Sequence, residues 1–164
     1  TGDGASSTLT SFTLRHRGMG TVGVKALAQA LATSSTLTSF TLENCDCDAN
    51  EAVNALAQAL SVNSTLTSLS LQDGNIDDQG AKAIAEALSV NSTLSSLTLE
   101  ECDIGDEGAK AIAQALAANT SLTSLTLEQT EIGDNGAAAL AQALATTSVL
   151  SSLALLGNNI GDKG

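Results

Sequence analysis

Six times along the chain a leucine is followed by two polar positions and then by an alternating apolar pair, in the pattern L-x-x-[LF]-x-L. Leu9, Leu37, Leu66, Leu94, Leu122 and Leu150 open the six copies, at spacings of 28, 29, 28, 28 and 28 residues. Residues 94–121, "LSSLTLEECDIGDEGAKAIAQALAANTS", show the unit most cleanly. Leu97 and Leu99 alternate with Ser96, Thr98 and Glu100, the period-two signature of a strand with one buried face. Ile104 returns the chain to the core. Asp106 is a candidate N-cap, and Ala109, Ile112, Ala113 and Leu116 fall on one helical stripe. Asn119 follows the helix, where asparagine tolerates a left-handed turn. One strand and one helix cannot bury their apolar edges alone, so the units must stack. The pattern predicts an α/β solenoid with parallel strands on one side and parallel helices on the other.

The pattern divides the chain into a tail over 1–8 and one repeat domain over 9–164. Its units run 9–36, 37–65, 66–93, 94–121, 122–149 and, in part, 150–164. L-x-x-L-x-L-x-x-C-x-I followed by G-D-x-G-A-K-A-I-A-x-A-L resembles the 28–29-residue leucine-rich repeat of ribonuclease inhibitor, and is similar to repeats of NOD-like receptors and Ran GTPase-activating protein. The resemblance recurs in every unit. It implies a right-handed horseshoe arc with a concave sheet, convex helices, and a partner held on the sheet and its adjoining loops. It speaks for the scaffold more strongly than for any one function.

Composition narrows the function classes. Six Lys and Arg against eighteen Asp and Glu give a net charge of −12, which disfavours a nucleic-acid partner. Apolar residues make up 43% of the chain, yet Trp, Tyr and Pro are absent and Phe occurs twice, as suits thin, regular layers. No apolar run reaches the length of a membrane span. With three cysteines and no charged segment leading into an apolar one at the N-terminus, the expected setting is cytoplasmic.

Several motifs compete with a purely structural reading. Gly18, Gly20 and Gly23 follow a strand-like segment and precede a helical pattern, with Glu43 twenty residues beyond Gly23: the dinucleotide-binding fingerprint and its acidic partner. Aligning the first unit on the fourth places Gly20 on Gly105, Gly23 on Gly108 and Lys25 on Lys110, so two of the three glycines belong to the repeat. No cofactor is expected. Asp46, Asp48 and Asn50 imitate the start of a calcium loop, but Glu51 stands where the loop needs glycine and Ala57 where it needs the bidentate acid, so no metal is expected either. Cys45 and Cys47 align with Cys102 and Ile104 and read as reduced core positions. Asn63, Asn91 and Asn119 open formal glycosylation sequons, but their regular recurrence at one turn is explained by turn chemistry. His16 has no nucleophile and acid arranged around it, and Glu100 with Glu128 lacks the aromatic platform a glycosidase would use. The chain is therefore not expected to be an enzyme and carries no catalytic residue.

What remains is the outward strand column Arg15, Glu43, Gln72, Glu100, Glu128 and Leu156, together with the next residue along, including Asp73 and Glu101. These eight are the candidate partner-binding residues. Their acidity predicts a partner protein with a basic surface, bound in a salt-sensitive way. The absence of aromatic anchors, with only Arg15 and Leu156 as candidates, predicts modest affinity. Two other readings stand beside this one. Arg15, His16 and Arg17 hint at a GTPase-activating or regulatory role, and the near-identical units at an engineered scaffold without a ligand. The two ends of the solenoid are expected to be incompletely covered and prone to end-to-end self-association.

Overall fold

The computed structural model describes residues 8–15, 20–44, 49–74, 76–162 and 164. Strands and helices alternate: β1 (Ser11–Arg15), α1 (Thr21–Thr33), β2 (Ser39–Glu43), α2 (Ala49–Val62), β3 (Ser68–Gln72), α3 (Asp78–Val90), β4 (Ser96–Glu100), α4 (Gly105–Ala118), β5 (Ser124–Glu128), α5 (Asp134–Leu144) and β6 (Ser152–Ala154). All six strands form one parallel sheet in sequence order. Each helix packs on its sequence neighbours in a second layer, so the predicted α/β solenoid is the observed fold.

Alternation along the strands makes the sheet two-sided. Leu69, Leu71, Leu97, Leu99, Leu125 and Leu127 point into the core, whereas the serines and threonines between them remain partly exposed. From the helix side, Ala109, Ile112, Ala113 and Leu116 are all at most 5% exposed, as their spacing requires. Helices approach closely at their first turns. A Cβ on Gly108 would lie 2.8 Å from Ala81 Cβ, and one on Gly136 would lie 3.0 Å from Ala109 Cβ. Burial fades toward the ends, where Phe12, Leu14, Leu150, Leu153 and Leu155 are only partly covered.

Two local expectations are overturned. Asn119 is not left-handed: its φ is −74° and ψ 138°, and Asn91 is alike at −76° and 132°. Asn63, Asn91 and Asn119 are instead buried and stitch the units together. Asn91 Nδ2 donates to Leu60 O at 2.8 Å and Asn63 O at 3.0 Å, while Oδ1 accepts from Thr93 N at 3.0 Å and Leu94 N at 2.8 Å. Asn119 repeats all four bonds one unit later. A buried carbonyl needs a partner, and the asparagine of the following repeat supplies it. The side-chain nitrogen that glycosylation would modify is thereby committed within the fold.

The second correction concerns Asp106, which does not cap its own helix. Helix α4 begins at Gly105 with no side-chain cap, and Asp106 Oδ1 accepts from Gly133 N and Gly136 N, both at 2.8 Å, at the start of α5. Among the helices whose capping residue is described, only α3 is capped by a side chain of its own unit, and it is Asp77, one residue before the position aligned with Asp106, whose Oδ1 accepts from Gln79 N and Gly80 N at 3.0 Å.

Candidate functional site

The open face of the sheet is built from hydroxyl-bearing side chains. Ser68, Ser70, Ser96, Thr98, Ser124 and Thr126 stand in register on β3 to β5. At the last residue of each strand the column changes character. Arg15 pairs with Glu43, Glu43 with Gln72, Gln72 with Glu100 and Glu100 with Glu128 in the strand register. Parallel strands spaced about 5 Å apart thus bring residues 28 or 29 positions distant in sequence side by side.

Within this column the first charges cancel. Arg15 Nε lies 2.7 Å from Glu43 Oε2, with Glu43 the more sheltered partner. Gln72 Nε2 donates to Ser70 Oγ at 3.1 Å. Among the described residues no ion pair reaches Glu100 or Glu128. Leu156, beyond β6, is 70% exposed and its carbonyl accepts from Gln129 N at 2.9 Å. Sequence position placed Arg15 and Glu43 on one column; that they neutralise each other follows only from the register.

The residue after each strand is where sequence reasoning missed the most. Asn44, Asp73, Glu101 and Gln129 all have positive φ, at 57°, 49°, 53° and 53°, and Gly157 continues the row at 71°. Their backbone N–H groups extend the ladder onto Gln72 O, Glu100 O, Glu128 O and Leu156 O. Left-handed backbone is ordinary for Asn and Gly but costs a residue such as Glu or Gln about 1 kcal/mol or more. The turn ends the strand and splays Asp73 and Glu101 outward, both exposed, beside the column. Their only sequence signal was the Asn and Gly at equivalent places in other units. Five of the eight candidate residues, Arg15, Glu43, Gln72, Glu100 and Glu128, share one row; Asp73 and Glu101 flank it, and Leu156 stands at its far end.

Gly20 precedes α1 at φ −56°, and a Cβ there would meet nothing within 4 Å, so the packing of the protein itself does not require glycine at this position. Glu43 is already engaged by Arg15. Gly18, His16, Arg17, Cys45, Asp46, Cys47 and Asp48 lie outside the described residues, as does the Asn50 side chain. Cys102 is a free buried thiol whose Sγ donates to Glu100 O at 3.3 Å, and burial pushes its pKa up to about 11. Grooves of about 450 Å³ between α3 and α4 and about 550 Å³ between α4 and α5 are lined largely by Ala, Gln and Lys stems. The lysines there are tied to acids, Lys82 to Asp78 and Lys110 to Glu107. Among the described residues no group of three metal-ligating side chains converges, and no helix is long and apolar enough to cross a membrane.

Comparison with known proteins points the same way. The TMOD/LMOD leucine-rich domain matches residues 21–129, and a leucine-rich repeat model matches residues 118–141. A solved structure of the Leiomodin-1 Actin-Binding Site 2 superposes with a TM-score of 0.64 at 32% identity, over 67% of this chain and 65% of that one. The match therefore spans somewhat less than two thirds of that structure. No curated protein sequence matches. Leucine-rich repeats of this kind are a protein-interaction fold rather than an enzyme, and with a two-layer solenoid, a continuous open sheet face and a family match from α1 to the end of β5, the chain belongs to the TMOD/LMOD leucine-rich domain family.

Proposed function

We propose that this domain binds actin, through the open sheet face and the turn column beside it. The observation that carries this reading is its 32% identity, over a shared fold, to the Leiomodin-1 Actin-Binding Site 2. Within that face, Asp73, Glu100, Glu101 and Glu128 select a basic patch on the partner, since none of them has an ion-pair partner among the described residues. Affinity is modest, because the face lacks aromatic anchors and the Arg15 guanidinium is already held by Glu43. Of the repeat proteins the sequence resembles, the ribonuclease-inhibitor and NOD-like receptor repeats bear on this reading as binding scaffolds, and the setting is cytoplasmic. A GTPase-activating role has less behind it: of the Arg15, His16 and Arg17 cluster it rests on, Arg15 is held in an ion pair with Glu43, and the other two lie outside the described residues.

Co-sedimentation with filamentous actin and titration of monomeric actin, each across a salt series, test the proposal. Binding that weakens with salt and is lost on replacing Glu100, Glu101 and Glu128 together by Lys is the expected result. No binding to either form rejects actin; binding indifferent to the triple replacement rejects the face. The same sedimentation without actin reports self-association, which the partly covered Phe12, Leu14, Leu153 and Leu155 favour.

A further inference from the structure

The caps of the helices differ in a way that bears on how the solenoid holds together. The first turn of any helix leaves backbone N–H groups without partners. In α3 they are satisfied from within the unit, by Asp77. In α5 the corresponding residue is Gly133, which has no side chain to offer, and the acceptor is Asp106 from the previous helix. The link is repeated one unit on, where Asp134 Oδ1 accepts from Gly161 N at 2.6 Å. Asp78, which aligns with Asp106, is drawn away by Lys82 at 2.9 Å, and Gly105 N turns instead to Thr130 O.

In a solenoid, stability is the sum of terms within each unit and terms at each junction. The Asp77 cap belongs to the first kind and the Asp106 cap to the second. We propose that Asp106 is a clasp coupling α5 to α4, so that its removal lets α5 and β6 open as a separate unit, whereas removal of Asp77 weakens the molecule without dividing it. The geometry also makes the clasp sensitive to acid. Burial alone raises the Asp106 pKa, but the hydrogen bonds from Gly136 and Gly133, the Asn135 side chain and the Lys110 charge together hold it below its ordinary 3.8. The other charged groups on the packed first turns are Glu107 on α4, Asp134 on α5, and Asp78 with Lys82 on α3. A carboxyl with a depressed folded pKa contributes stability above its unfolded value and loses it as pH falls through the folded one. The clasp is thus closed at neutral pH and opens only in acid, as pH falls through the lowered folded pKa of Asp106.

Amide hydrogen exchange on the full chain tests this residue by residue. In Asp106→Ala, protection in α5 should fall about tenfold, the scale of a lost cap, while α3 amides such as Ile84 change little. In Asp77→Ala, α3 and α5 should lose protection together, and a loss confined to α3 would overturn the proposal. Asp106→Asn, which keeps an acceptor oxygen but cannot titrate, should remove the loss of α5 protection expected of wild type as pH falls through the lowered folded pKa of Asp106. Equal losses in α3 and α5 on Asp106→Ala, an unfolded Asp106→Ala chain, or an unchanged acid response in Asp106→Asn each overturn the proposal.

Discussion

At the end of β1 and β2 the outward column holds Arg15 against Glu43; at the end of β4 and β5 the same two places hold Glu100 against Glu128. The parallel register is alike in both, although Phe12 and Phe40 stand inward where β4 and β5 have Leu97 and Leu125. Arg15 attracts Glu43 across 2.7 Å, whereas like charges one strand apart repel by up to about 0.8 kcal/mol at about 5 Å in a water-like dielectric. A scaffold that accepts either sign in the same slot does not use that slot for folding. Its charge is free to serve whatever meets the face from outside. The two regions differ a second way, since inward side chains are partly covered at β1 and fully buried at β4. Folding energy is concentrated in the middle of the arc, where the uncompensated acids also lie.

The largest effect should come from the core beneath those columns. Leu99→Ala, at a residue with no exposed surface, is expected to cost 2–5 kcal/mol in denaturant unfolding, by approximately the usual range for buried leucines. Leu14→Ala in the corresponding place on β1 should cost less than half as much. Equal losses would show that the edge strand is covered in solution.

A smaller contrast separates the stitching residues. Asn91→Ala strips two donors from buried carbonyls and two acceptors from backbone N–H groups, and should cost about 3 kcal/mol. The first unit has Ser34 in that place, whose Oγ accepts from Leu37 N at 3.1 Å and more weakly from Thr36 N at 3.5 Å. Ser34→Ala should therefore cost only about 1 kcal/mol. Thermal unfolding of the two variants, side by side, measures the difference; a Ser34→Ala loss as large as that of Asn91→Ala would mean the turn after α1 is held as firmly by its local bonds as the turn after α3 is by bonds that cross to the preceding unit.

The charges should matter least to stability. Glu128→Lys beside Glu100 is expected to stabilise by under about 1 kcal/mol, and Arg15→Glu beside Glu43 to destabilise by a similar amount. Both shifts should shrink as salt is raised toward 1 M, because exposed charges are then screened within a few ångströms. If Glu128→Lys instead destabilises, the acids are engaged within the fold and the contrast between the two regions fails.

Leucine alternation at 97 and 99, the stripe through Ala109, Ile112 and Leu116, and the 28-residue return were readable by eye, because each records a local geometry: two residues per pleat, 3.6 per turn, one circuit per unit. From these alone came the parallel sheet, the helix layer and the identity of the outward column. Whether neighbours in that column attract or repel could be known only once register set Arg15 beside Glu43. The same holds for Asp106, whose carboxylate has an N-cap's sequence position and caps the next helix, and for Asn119, which carries a turn residue's composition and bridges two units in extended backbone. Glu101 and Gln129 adopt left-handed backbone that neither favours, held there by hydrogen bonds to the following unit. Chain-local patterns determine which face of an element is buried. Partners 28 residues away decide where its polar groups go, since a buried donor or acceptor takes whichever mate the stack brings within about 3 Å.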